Sequence, residues 1–221
     1  MYIYQSSEYK PTSTLTRFSF QTTMLFLVCC AFFSSAEASN TVTPMVVDVF
    51  SQKMQFNLPA KWKQVHNEKL VDMISSEYIP ENESMKDWRQ LICLQGFDKI
   101  SEDLDAETFL ETMAKTYTEH CQGDVVFEPM GKVAVDGMQG FHAILGCTKM
   151  PNIHTVRIGK LQTFVSPTKG EIGYYAALKA KDKLILFHKS TRDKVFSLNN
   201  SPLTPENYSA YIKSVISVKQ Q

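Results

Sequence analysis

The stretch Asp105–Cys121, DAETFLETMAKTYTEHC, is where the chain changes period. Phe109, Met113, Tyr117 and Cys121 fall four apart, with Leu110 and Ala114 beside them. That spacing predicts an amphipathic helix. Asp105 reads as its N-cap, the acids at 102, 103, 105 and 107 suit the positive end of the dipole, and Gly123 reads as its stop. Cys121 would close the helix on its buried side.

On both sides of this helix the chain alternates as strands do. Upstream, a polar tail over 39–44 leads into a short apolar run, Val46–Phe50. Met54–Leu58 alternates and stops at Pro59. Lys61-Trp62-Lys63 follows, then a polar run to Leu70. Val71–Ile79 places Val71, Met73, Ser75, Glu77 and Ile79 on one face and ends at Pro80. Arg89–Phe97 is apolar on both faces, which predicts a central strand. The polar stretch between them reads as a connection, with Ser84 capping a short helical turn, MKDW, and Trp88 plugging the core.

Downstream come Val125–Glu128, Lys132–Val135, Met138–Thr148, His154–Val165 and a hairpin over Glu171–Arg192. Asp136-Gly137, Pro151-Asn152, Pro167–Gly170 and Lys181-Asp182 read as the turns dividing them. Thr204-Pro205-Glu206 is a helix start, and Tyr208, Tyr211, Ile212, Val215 and Ile216 make one apolar face after it. The order predicts an α+β fold: an antiparallel sheet of about six to eight strands, with one mid-chain helix and one C-terminal helix packed on it.

Residues 1–38 read as a signal peptide. Leu25–Phe33 is an apolar run, small residues follow, and Ala36-Glu37-Ala38 is an A-x-A cleavage site. The run is shorter than the roughly 20 residues that span a bilayer. The stretch before Met24 is long for an n-region, so Met24 is an alternative start. Cleavage after Ala38 leaves 183 residues, 39–221, as a single α+β domain with 21 basic and 21 acidic residues. That balance argues against nucleic acid or an anionic membrane as partner. The expected location is periplasmic or secreted.

Cys93, Cys121 and Cys147 remain after cleavage. In an oxidising compartment one pair is expected to be bridged. Cys121 at the helix end and Cys147 late in a strand that could pack beneath it form the preferred pair.

The opening FNLPAKW, Phe56–Trp62, and the order of strands and helices resemble the Mog1/PsbP-like α/β/α sandwich. The segment EYIPENESMKDWRQLICLQGF, Glu77–Phe97, is similar to a stretch of uncharacterised secreted proteins of Gram-negative bacteria. The resemblance implies a fold and an exported bacterial protein; no catalytic residue of any family maps onto the chain.

The five histidines, His66, His120, His142, His154 and His188, lack the spacing of a metal motif. Cys147 and His154 flank the expected Pro151-Asn152 turn and supply two ligands, short of a zinc site. Cys93 sits mid-strand and reads as a small buried hydrophobe. Neither Ser75-Ser76 nor Ser190-Thr191 has a nucleophile-elbow context, and Gly170–Gly173 lacks the Lys of a phosphate loop. Glu77, Glu81 and Glu83 read as a solvated loop.

Trp62, Tyr78, Trp88, Tyr174 and Tyr175 lie near strand ends or in hairpins and are the candidate ligand-binding set, against the reading that the tryptophans anchor the core. The functional expectation is an exported, non-catalytic binding or accessory protein with a protein or small-molecule partner and no cofactor. The alternatives are a small secreted hydrolase using Cys93 or Cys147 with His142, His154 or His188, and a secreted virulence-associated protein.

Overall fold

The computed structural model describes residues 42–50, 52–100, 104–158, 160–180, 182–216 and 219–220, with the backbone alone for 152–166 and 219–220. The expected signal peptide and its cleavage site lie outside these residues. The described residues belong to one compact unit, Ser39–Gln221.

The fold is α+β. Two strands, β1 (Val42–Val49) and β2 (Gln52–Pro59), form a separate hairpin. The remaining strands are β3 (Trp62–Lys69), β4 (Met73–Pro80), β5 (Gln90–Phe97), β6 (Val125–Val135), β7 (Met138–Ile158), β8 (Lys160–Ala180), β9 (Lys183–Asp193) and the two-residue β10 (Lys219–Gln220). They make one antiparallel sheet of eight strands in the order β10-β6-β7-β8-β9-β5-β4-β3. Helix α1 (Ala106–His120) lies on one face, and the β1–β2 hairpin and α2 (Tyr208–Ile212) lie on the other.

Helix α1 starts where its cap predicts, with the Asp105 carboxylate accepting from the Thr108 N–H at 2.7 Å. Its deepest residues are Ala106, Leu110 and Ala114, packed on Ala143, Leu145, Ala177 and Leu186 of the sheet. Phe109, Met113 and Tyr117 are half-buried at the margin, so the buried stripe runs one position past the expected one. On the opposite face, Phe56, Ile144, Tyr174, Phe187, Tyr208 and Ile212 close a larger core. Burying each such side chain contributes roughly 1.5–3 kcal/mol.

β5 is interior to the sheet and buried on both faces, as its apolar run requires. Asp136-Gly137 turns β6 into β7 with both residues at positive φ, 48° and 80°. β8 ends at Ala180 and β9 begins at Lys183, around the expected Lys181-Asp182 turn.

Other expectations are corrected. The polar tail is strand from Val42 onward. The polar run after Trp62 is the edge strand β3. Val125–Glu128 and Lys132–Val135 are one strand, β6, broken by a register shift at Pro129/Gly131, where Gly131 has φ 99°. Pro151-Asn152 and Pro167–Gly170 are not turns but lie inside β7 and β8. Gly123 does not stop α1, which ends at His120 with Cys121 extended; a Cβ at Gly123 would stand 2.3 Å from Thr148 Oγ1, so close approach explains the glycine. The second helix is one short turn. It begins at Tyr208, after Asn207, rather than at the expected Thr204-Pro205-Glu206, which form the turn leading into it; there the Thr204 N–H donates to Asn207 Oδ1 at 2.9 Å and the Tyr208 N–H donates to the Thr204 carbonyl at 3.1 Å.

Candidate functional site

The hairpin register that follows from the Lys181-Asp182 turn sets Glu171 opposite Arg192, Gly173 opposite Ser190 and Tyr175 opposite His188. All of these fall on the face that carries α1. The result is a continuous polar chain between helix and sheet. The Arg192 guanidinium donates to Glu171 Oε2 from Nε at 2.9 Å and from Nη2. The Tyr117 hydroxyl, from α1, donates to Glu171 Oε1 at 3.4 Å and meets the Tyr175 hydroxyl at 2.8 Å. Tyr175 Oη meets Ser190 Oγ at 3.3 Å, and Ser190 Oγ meets His188 Nδ1 at 3.0 Å. The Tyr175 ring stacks on the His188 ring, 4.7 Å between centroids and 8° between planes.

Burial, reinforced by neighbouring Glu171, pushes the Tyr117 and Tyr175 hydroxyls well above the ordinary phenol range. Burial pushes His188 down to about 4, so its imidazole is neutral at pH 7. Next to it, Cys93 pairs with His188 across β5–β9 and with Glu77 across β4–β5. Burial, then the Glu77 carboxylate, raises the Cys93 thiol far above its usual value. The thiol and imidazole that the hydrolase alternative needs are thus adjacent, but both are held neutral, and the thiol is buried. Ser190 is buried completely behind Tyr175. The arrangement holds side chains together; it presents no nucleophile to solvent.

The chain reaches the surface at one end. A groove of about 290 Å3 is lined by Tyr117, His120, Met150, Pro151, Glu171 and Arg192. Arg192 Cζ also lies 4.2 Å from the centroid of Trp88, which the 81–89 connection folds over Ile79, Leu91 and Cys93. That connection is fastened rather than simply solvated, because Glu83 accepts from the Arg89 N–H at 2.7 Å and the Gln90 N–H at 3.3 Å. Ser84 contributes its carbonyl to the Asp87 N–H at 3.0 Å, forming a turn.

The five candidate aromatics do not converge. Tyr78 and Tyr174 are buried on the hairpin side, where partly buried Trp62 packs on the same core. Trp88 is buried under its own loop, and Tyr175 lies beneath α1. Also on the hairpin side, His142 Nδ1 meets the Tyr174 hydroxyl at 3.1 Å, and Tyr208 stacks on Tyr174. There Lys189 donates to the Tyr211 carbonyl at 2.7 Å, with Nζ 4.4 Å from the centre of that ring, and burial lowers its amine to about 8.

Cys121 and Cys147 form the expected disulfide, joining the end of α1 to β7. Cys147 is therefore no partner for His154, whose side chain lies outside the described ones. Among the described residues no three His, Cys, Asp or Glu side chains gather as a metal site, and no helix is long and apolar enough to cross a membrane.

The polar chain is the feature that residue-by-residue reading misses. Its signal was the turn: once Lys181-Asp182 is placed, antiparallel counting puts Glu171 against Arg192.

No family model matches the chain, and no curated protein matches it. Among solved structures it is similar to the Ran-binding protein Mog1p of Saccharomyces cerevisiae, with a TM-score of 0.41 and 11% identity over 79% of this chain and 85% of that one. It is similar also to the cyanobacterial PsbP (CyanoP) of Synechocystis sp. PCC 6803, with a TM-score of 0.41 and 14% identity over 82% of this chain and 92% of that one. These are the two names in the fold resemblance read from the sequence. The likeness says nothing of ligand or partner.

Proposed function

We propose that the chain is an exported binding or accessory protein of a Gram-negative bacterium, without a catalytic step of its own, acting in the periplasm or after secretion on a protein or small-molecule partner. The Cys121–Cys147 disulfide is the observation that carries the export reading, since such bonds persist in oxidising compartments. The non-catalytic part is supported by the polar chain from Arg192 to His188, whose groups bond to one another. In this reading Tyr78, Trp88, Tyr174 and Tyr175 serve packing, and Trp62, on the edge strand, is the aromatic left for a partner.

Intact mass, with and without reduction, of protein recovered separately from periplasm and medium tests the reading. The expected mass begins at Ser39 and is two hydrogens light. A full-length reduced chain in the cytoplasm overturns it.

Cys93 beside His188 keeps the hydrolase alternative specific. Thiol labelling separates the two: fast reaction of Cys93 at neutral pH supports the hydrolase, and labelling only after denaturation supports the binding module.

A further inference from the structure

The β7–β8 hairpin outruns the sheet to which it belongs. β6 leaves β7 at the pair Val125–Cys147, and β9 leaves β8 at the pair Gly170–Asp193. The Asp124 carbonyl still accepts from Thr148, and the Gln122 N–H still donates to Lys149. Beyond them, Asn152–Ile158 and Lys160–Ser166 run through seven register pairs with each other and, among the described residues, with no other strand.

An antiparallel ribbon turns the N–H and C=O groups of alternate residues outward along each edge. This arm therefore has two open backbone edges, each about 24 Å long at roughly 3.4 Å per residue. Pro151 and Pro167 stand at its base, where the β7–β8 register shifts. Proline has no N–H to give an added strand, so the two prolines bound the open stretch and keep its edges apart from those of the main sheet.

The arm is also charged differently from the rest. Asn152–Ser166 contains Arg157 and Lys160 and no Asp or Glu, leaving 21 basic against 23 acidic residues elsewhere, with Lys149 and Lys169 flanking it. Lys169 is tied to Asp87 at the base, 2.5 Å from its carboxylate.

We propose that the arm is a docking element, which takes an extended acidic segment of a protein partner as an added strand along one edge. The proposal rests on the binding-module reading and names the partner's chemistry. A second copy is disfavoured, since edge-to-edge pairing would set two basic arms side by side. A lipid interior would leave the backbone groups of both edges without hydrogen-bond partners. Nucleic acid offers no matching peptide ladder.

The test is amide hydrogen exchange on the full chain with two seven-residue peptides, matched to the seven pairs of the arm. One alternates Glu and Val. The other is the same peptide N-methylated at every residue, keeping the charge while losing every N–H. The Glu–Val peptide is expected to slow alternate amides on one strand of the arm by at least about tenfold, and the N-methylated peptide is not. The double substitution Arg157→Glu with Lys160→Glu is expected to abolish the slowing without moving Tm. Equal slowing by both peptides, no slowing in the arm, protection that grows with protein concentration alone, or protection given only by phosphatidylserine vesicles would each overturn the proposal. The binding-module reading fails separately, by intact mass or by thiol labelling.

Discussion

The Arg192 guanidinium lies over the Trp88 ring, 4.2 Å from its centroid, while its nitrogens hold Glu171. One side chain thus joins the connection between β4 and β5 to the polar chain under α1. Trp88→Ala removes both this lid and a core anchor. It is expected to lower stability by about 3–5 kcal/mol, read by urea denaturation. Arg192→Lys keeps the charge but loses the fork and the stacked plane, and is expected to destabilise as well.

Glu171 and Arg192 are both buried. Glu171→Gln leaves a guanidinium inside without its counter-charge, at a cost of about 3–5 kcal/mol. Adding Arg192→Met is expected to recover most of that loss. A double-mutant cycle in which the two losses simply add would show that the pair is not coupled.

The disulfide closes a separation of 26 residues. Chain entropy alone gives about 3.5 kcal/mol for a loop of that size. Replacing Cys121 and Cys147 by Ser is expected to lower stability by that order, and dithiothreitol to lower the wild-type Tm without affecting the variant.

His188 should make the fold sensitive to acid. Its folded value is about 4 against an ordinary 6.5, so between those values the unfolded chain binds the proton and the folded one does not. The contribution is complete above pH 6.5 and disappears as pH falls towards 4, with a ceiling of about 3 kcal/mol. His188→Gln should flatten the stability profile across that window; an unchanged slope would remove His188 as its cause.

Lys189 acts in the alkaline range. Its amine is at about 8 when folded and 10.5 ordinarily, so wild-type stability should climb as pH rises between those values. Lys189→Met should remove the climb. It should also raise stability at pH 7, by less than the roughly 3 kcal/mol that the shift represents, because the bond to the Tyr211 carbonyl goes with it.

Helix α1 was legible because its cap and its period agree, and Asp105 does what an N-cap does. β5 was legible because both faces are apolar. Cys121 could be matched to Cys147 because one closes a helix and the other sits on the strand beneath it. β3 was not legible as a strand: Lys63, Gln64 and Glu68 are exposed on an edge, where alternation carries no hydrophobic signal. Pro151 and Pro167 misled because proline breaks a paired strand, whereas here the flanking strands have already ended. The candidate aromatics were chosen by proximity to loops. The polar chain depends on register between distant residues, which composition does not encode.

The strand order has a consequence for the path of folding. β3, β4 and β5 are neighbours in sequence and in space, and so are β6 to β9; the two blocks meet along β5–β9, where Gln90 pairs with Thr191 and Phe97 with Leu184. Each block can begin by local hairpin closure, but the seam joins residues about a hundred positions apart and forms late. A chain made from its N-terminus holds the edge of β5, the most apolar strand of its block, open until the last long strand has been synthesised. That interval is when the molecule is most exposed to wrong pairing.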